Sequence, residues 1–294
     1  MGHEYTNVGR NSCIRVRYSW MVQFSILLII LNSVISDNRF HCCYNTDMEP
    51  ETVQRLLALN RQFYQTFALQ FSVTRRRLQP GVQKILARLL PLERILDLGC
   101  GNGELARALQ RQTFKGEYIG LDFSAGLLAE ARRDQPEGSL FVFKQADLSD
   151  LGWSAGLPEG SFAAILALAV LHHIPGQELR RQVLRQAQRL LESGGLLVLS
   201  NWQFLNSPRL VARIQPWERL GLEETQVEEG DFLLDWRQGG SGLRYIHHFS
   251  EAELERLAEE TSFTIQESFW SDGENGRLSL YQVWRPAGLI LSSS

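Results

Sequence analysis

The segment Arg94-Ile95-Leu96-Asp97-Leu98-Gly99-Cys100-Gly101-Asn102-Gly103 constrains the fold more than any other part of the chain. A short apolar stretch ends on an acid, three glycines alternate, and a helical pattern, Glu104-Leu105-Ala106-Arg107-Ala108-Leu109, follows. Alternate glycines let the backbone turn tightly and leave bare main chain against which a ligand can lie. The spacing is G-x-G-x-G, not the G-x-G-x-x-G with which dinucleotide folds grip a pyrophosphate. Such a turn suits a nucleoside that carries no phosphate.

Two further acids extend the pattern. Glu117–Asp122 reads as a second strand ending in a carboxylate, and Asp122 stands 21 positions beyond Gly101. A doubly wound fold places its ribose-binding acid at about that offset, ~20 residues on. A third strand, Leu140–Gln145, leads into Ala146-Asp147-Leu148. There Asp147 is placed to accept from the exocyclic amine of an adenine. Strands and helices go on alternating to about residue 201, which predicts a parallel sheet wrapped on both faces, with these groups gathered at one carboxyl edge.

The flanks depart from this rhythm. Residues 50–70 carry one apolar stripe, and Pro80 and Pro91 bracket a second helix. Gln177–Leu191 is an arginine-rich amphipathic helix and Leu196–Leu199 a buried strand. Residues 202–248 break the alternation with three tryptophans, Trp202, Trp217 and Trp236, and an acidic stretch, which predicts a substrate lid. Ser250–Glu260 has the Ser250 to Glu253 spacing of a capping box, and Phe263–Phe269 with Leu278–Trp284 reads as a terminal hairpin.

The first 47 residues form a segment apart from the body at 48–294. They hold Cys13, Cys42 and Cys43 and a broken apolar run from Met21 to Ile35, preceded by Arg15 and Arg17. Three readings fit: a start assigned upstream of the true one at Met48, a membrane anchor, or a secretion signal. The body keeps one cysteine, Cys100, and so forms no internal disulfide, which fits a reducing, cytoplasmic setting. No C-x-x-C, histidine cluster or carboxylate pair points to a metal. A net charge of −3 leaves nucleic-acid contact to a local basic patch. Arg75-Arg76-Arg77, and Arg180, Arg181, Arg185 and Arg189 if they share its face, are the candidates.

These motifs resemble those of class I S-adenosylmethionine-dependent methyltransferases. D-L-G-C-G-N-G at 97–103 resembles the first motif, G-L-D-F-S at 120–124 the second, and A-D-L at 146–148 the adenine turn. Ala169–Ile174 resembles the fourth-strand exit, and Ser193–Leu197 the turn before strand five. The resemblance implies a three-layer αβα Rossmann-like sandwich with a mostly parallel seven-stranded sheet. Its cofactor is S-adenosylmethionine, and Asp97, Gly99, Cys100, Gly101, Asp122, Phe123, Asp147, Leu148 and Leu168 are implied to contact it. Ala163 stands where many such enzymes have an acid before strand four.

The flanks narrow the resemblance to the transfer-RNA wobble-uridine carboxymethyl methyltransferases. Tyr64, Ala68, Phe71, Ser72, Thr74 and Arg75 match an entry segment Y-x-x-I-A-x-H-F-S-x-T-R, with Gln70 in place of histidine. Gly230–Trp236 is similar to G-D-x-L-x-P-W, with Asp235 for proline, and Arg244–Phe249 to R-Y-x-H-x-F. The implied reaction esterifies the carboxylate of 5-carboxymethyluridine in tRNA, and the family's eukaryotic members work with a small activator subunit. A carboxylate acceptor is ionised at neutral pH and needs orientation rather than a base. Arg75 and Arg244 are therefore the candidates to grip it, with Tyr245 and His247 adding hydrogen bonds. An amine or phenol acceptor would instead call on His172 or His173 as base. The alternatives are a small-molecule methyltransferase of the same fold and a non-catalytic cofactor-binding partner. No stable membrane association is expected of the body.

Overall fold

The computed structural model describes residues 48–288, apart from 75, 76, 134, 136, 137 and 238. The Met21–Ile35 run, three of the cysteines and Arg75 lie outside the described residues. No helix among those described is long and apolar enough to cross a membrane.

Two helices, α1 (Pro50–Thr74) and α2 (Pro80–Leu89), precede the alternating core. That core runs β1 (Arg94–Leu98), α3 (Glu104–Arg111), β2 (Glu117–Asp122), α4 (Ala125–Arg132), β3 (Phe141–Gln145), β4 (Phe162–Leu168), α5 (Gln177–Leu190) and β5 (Leu191–Trp202). The insertion follows with α6 (Pro208–Val211), β6 (Ile214–Gln215), β7 (Asp231–Trp236) and β8 (Gly242–His247). It is succeeded by α7 (Glu251–Glu260), β9 (Phe263–Ser271) and β10 (Ser279–Pro286).

Seven strands form one sheet in the order β3-β2-β1-β4-β5-β10-β9. The pairings among β1 to β5 are parallel, and β10 runs antiparallel to both its neighbours. The fold is the mixed α/β Rossmann-like arrangement that the motifs imply. The central strands are apolar on both sides because both faces are covered. Along β4, Ile165 and Ala167 join α5 and α7 in one core, while Ala164 and Leu166 join α2, α3 and α4 in the other. Each fully buried leucine or isoleucine of these layers contributes roughly 2 kcal/mol. Ala163 is itself buried in β4, so no carboxylate ties the sheet at that point. β5 begins earlier than its apolar run predicts, because its register against β4 shifts between Phe162 and Ala164 and admits the glycine turn at 193–195 into the strand.

The insertion builds a separate three-stranded antiparallel sheet, β6-β7-β8. Leu56 of α1 packs with Trp217, Leu233 and Tyr245 of this layer in a small core of its own. The approach of α1 to β8 is close: a Cβ on Gly242 would stand 2.7 Å from the ring of Phe67. The helix and the insertion thus brace one another above the carboxyl edge of the large sheet.

Candidate cofactor and acceptor site

The glycine turn leaves β1 and is tied to β2 by the Cys100 amide, which donates to the Leu121 carbonyl at 2.9 Å. Gly101 takes φ +56°, and a Cβ there would meet nothing within 4 Å. The left-handed backbone favours glycine, and the open space leaves the main chain bare for a ligand. The Gly101 amide donates to Asp122 Oδ2 at 2.9 Å, and the Ser124 amide to Asp122 Oδ1 at 2.9 Å. Burial nonetheless holds the Asp122 carboxyl above its usual range. Beneath it Asp97 is buried and accepts the Tyr118 hydroxyl. Burial pushes Asp97 up to about 7, the Tyr118 hydroxyl opposes the rise, and Asp122 adds to it.

Asp147, half-buried past β3, is held otherwise. Its Oδ1 accepts the Ser149 amide at 2.9 Å and the Ser149 hydroxyl at 2.6 Å. Its Oδ2 accepts Arg61 Nε at 2.7 Å. Burial would raise this carboxyl, but the Ser149 and Arg61 bonds outweigh it and hold it low.

All nine residues assigned to the cofactor from the sequence line one cavity of about 240 Å³. Its cover is α1, through Leu57, Asn60, Arg61 and Tyr64, and no residue of 202–248 lines it. Those residues brace α1, and α1 meets the ligand space. Asn60 is the clasp. It donates to the carbonyls of His173 and Tyr245 at 3.1 Å each and accepts the Tyr245 amide at 2.9 Å. Tyr64 Oη stands 2.7 Å from His173 Nε2. The Tyr245 carbonyl, 3.5 Å from His173 Nδ1, can only accept, so this contact places a proton on Nδ1.

The acceptor-gripping candidates are placed differently. Arg75 lies outside the described residues. Arg244, Tyr245 and His247 lie on β8, are buried, and do not line the cavity. The Arg244 guanidinium packs over Trp202, Phe63 and Trp236 at 4.8, 5.5 and 5.6 Å, so these tryptophans surround a cation. The Tyr245 hydroxyl donates to Asp231 at 2.6 Å. His247 bridges Asp231 at 2.6 Å and Glu253 at 2.8 Å. Burial and Arg180 lower the His247 pKa, but its two carboxylate partners prevail and raise it. Arg180, also buried, reaches Glu228 at 2.5 Å and Glu253 at 3.7 Å. A strand alternates sides, and β8 turns Tyr245 and His247 into this charge network between the insertion, α5 and α7 rather than toward the ligand space.

The basic helix is corrected too. Arg180 is buried in that network, Arg181 pairs with Glu260 at 2.7 Å, and Arg185 with Glu178 at 3.3 Å. Of the four arginines, Arg189 alone is exposed with no carboxylate partner among the described residues, so α5 does not present all four on one free cationic face. Arg77, by contrast, is exposed on the cavity rim with no carboxylate partner among the described residues.

Asn60 and Arg61 escaped the sequence reading. Asn60 interrupts the apolar stripe of Leu56, Leu57 and Phe63, and a polar residue on a buried face is the signal that could have found it. The Arg61 partners, Asp147 and Ser149, are 86 and 88 residues away, and nothing local announces them.

A family described as "Methyltransferase domain" matches residues 71–268, and the chain belongs to it. It is a class I methyltransferase, an enzyme, and its cofactor is S-adenosylmethionine. The chain is 27% identical over 206 residues to a putative methyltransferase of Encephalitozoon cuniculi, a match covering 69% of this chain and 86% of that protein. It is 35% identical over 130 residues to the 27-O-demethylrifamycin SV methyltransferase of Amycolatopsis mediterranei, covering 42% and 44%. It is 24% identical over 175 residues to a probable tRNA methyltransferase 9B of Mus musculus, covering 58% and 36%. The latter two matches span less than half of those relatives. Among solved structures, a putative methyltransferase of Haloferax volcanii in complex with the Trm112 activator shares the fold, with 16% identity, a TM-score of 0.56 and 78% of this chain covered against 97% of that one.

The residues present fit this cofactor. Three carboxylates on the turn side of the cavity, Asp97, Asp122 and Asp147, would repel a pyrophosphate but suit the hydroxyls and amine of an unphosphorylated adenosine.

Proposed function

We propose that the chain esterifies a carboxylate, that of a carboxymethylated wobble uridine in tRNA. Asp122 is assigned the ribose hydroxyls, and Asp147, through its remaining lone pair on Oδ2, the adenine amine. Gly99, Cys100 and Gly101 offer backbone to the ligand, Phe123, Leu148 and Leu168 give its apolar walls, and Asp97 supports the turn from below. Bound S-adenosylmethionine supplies a methyl group on a sulfonium, a good leaving group.

The observation that carries the reading is Arg77, an exposed cation on the cavity rim free to pair with an anionic acceptor. A carboxylate is already ionised at neutral pH, so no proton has to move. The chain's task is to align the acceptor oxygen and keep water out. The Tyr64–His173 contact agrees with this, since Tyr64 Oη stands against the Nε2 atom that a base would have to present to the acceptor. The flanking motifs and the 24% likeness to a probable tRNA methyltransferase support tRNA as the partner. A small activator subunit belongs to the same reading, supported by the Trm112 complex of the Haloferax neighbour. So does the cytoplasmic location.

Incubation with labelled S-adenosylmethionine and tRNA from a strain lacking the wobble ester tests this, followed by nucleoside mass analysis. Expected is a base-labile methyl ester on uridine, formed at undiminished rate below pH 6. Label in a small-molecule extract and none in RNA overturns it. A second reading, methylation of a small hydroxyl-bearing acceptor, is favoured by the same Tyr64–His173 pair if the acceptor displaces Tyr64 and leaves His173 as base. Its rate would fall near pH 6–7.

A further inference from the structure

We propose that the chain carries a second recognition site, a phosphodiester-binding groove between α2 and α3 that opens off the cavity and holds the RNA backbone while the modified base is inside. The inference rests on the tRNA reading above and adds to it where the polymer lies.

The groove has a volume of about 410 Å³. Gln83 of α2, Arg111 of α3 and Gln112 beyond it form its outer walls, and Arg77, Leu78 and Glu104 line both the groove and the cavity. A strand whose base enters the cavity would therefore pass Arg77 on its way out.

The charges decide what fits. Glu104 is the single carboxylate among the lining residues, and it is already shared. Arg107 reaches it at 3.0 Å and Arg111 at 2.8 Å. With Arg77 unpaired, three guanidinium groups face one carboxylate. Arg111 commits one nitrogen to Glu104, and its side chain is 61% exposed. A guanidinium has five donors in a fork that matches phosphate oxygens, so Arg77 and Arg111 keep donors for a backbone. The exposed amides of Gln83 and Gln112 add polar contacts without sequence preference. Leu86 and Ala108 are buried behind the groove, and its exposed lining, Arg77, Gln83, Arg111 and Gln112, is polar and cationic, a good match for consecutive phosphates.

The test measures binding of tRNA from a strain lacking the wobble ester to the full chain over a range of salt concentrations. Each phosphate contact contributes roughly 0.7–0.9 to the slope of log affinity against log salt. Arg111→Gln is expected to make the slope shallower by about 0.8. Gln83→Arg adds a charge and is expected to steepen it by about 0.8. Arg111→Gln leaves Glu104 paired with Arg107, and unchanged S-adenosylmethionine affinity by calorimetry reports that the variant is folded. If the chain methylates the tRNA but neither loss nor gain of charge moves the slope, the groove is overturned and the acceptor reading stands. If the unsubstituted chain places no label in the tRNA, the acceptor reading falls and the groove with it.

Discussion

Asp97→Asn should make the protein more stable at neutral pH, with a gain that depends on pH in a defined way. The parent carboxyl is buried, and burial pushes it from 3.8 up to about 7. The folded chain thus holds this proton more tightly than the unfolded one. Below the unfolded value both states are protonated, and the group contributes nothing. Between there and about 7 the unfolded chain ionises first, so stability falls by ~1.4 kcal/mol per pH unit. Above about 7 both states are ionised and the loss is complete. A shift of ~3 units corresponds to about 4 kcal/mol, and relaxation around the buried anion reduces this to about 2–4 kcal/mol. Asparagine stays neutral throughout, and its Oδ1 can still accept the Tyr118 hydroxyl. The assay is urea unfolding of parent and variant at pH 5, 6, 7 and 8, followed by tryptophan fluorescence from buried Trp153 and Trp284. The variant's advantage should grow from pH 5 to 7 and then level off. Parallel curves, or a parent that gains on the variant as pH rises, would refute a desolvated carboxyl at this position.

Two further outcomes follow from the contacts of α1 and of the buried charges. Arg61→Ala removes the 2.7 Å bond to Asp147 and the 2.8 Å bond to Ser149, and should weaken S-adenosylmethionine binding about tenfold in calorimetry, equivalent to ~1.4 kcal/mol; an unchanged dissociation constant would remove α1 from the cofactor site. Arg180→Ala leaves the buried Asp231 and the partly buried Glu228 and Glu253 without their guanidinium, and should cost about 3–5 kcal/mol in chemical denaturation, far more than loss of the exposed Arg185 pair with Glu178.

The core was legible because its information is local. A glycine turn, an acid at the proper offset and apolar runs between them belong to segments of ten or so residues. The backbone turns that gather Asp97, Asp122 and Asp147 at one sheet edge follow from the alternation alone. The acceptor side was not legible in the same way. Arg244, Tyr245 and His247 stand in an attractive motif, yet strand alternation and pairing with Asp231 and Glu253 direct two of them into a charge network, while the third packs among aromatics. Which side of β8 faces the ligand depends on how the insertion docks against α1, a contact between segments about 185 residues apart. The cover over the cofactor cavity was hidden for the same reason: nothing local says that α1 closes over it, held from behind by aromatic residues of the insertion.

The antiparallel strand β10 has a consequence for how the molecule is made. It follows β9 in the chain but lies between β9 and β5. During vectorial synthesis on the ribosome, the cofactor-binding half can assemble as it emerges, whereas β5 waits with an open edge until β10 is released and wedges in beside it. Nascent chains stalled before residue 279 would hold both β5 and β9 unpaired on their facing sides, the kind of exposed template that recruits chaperones or other copies of itself.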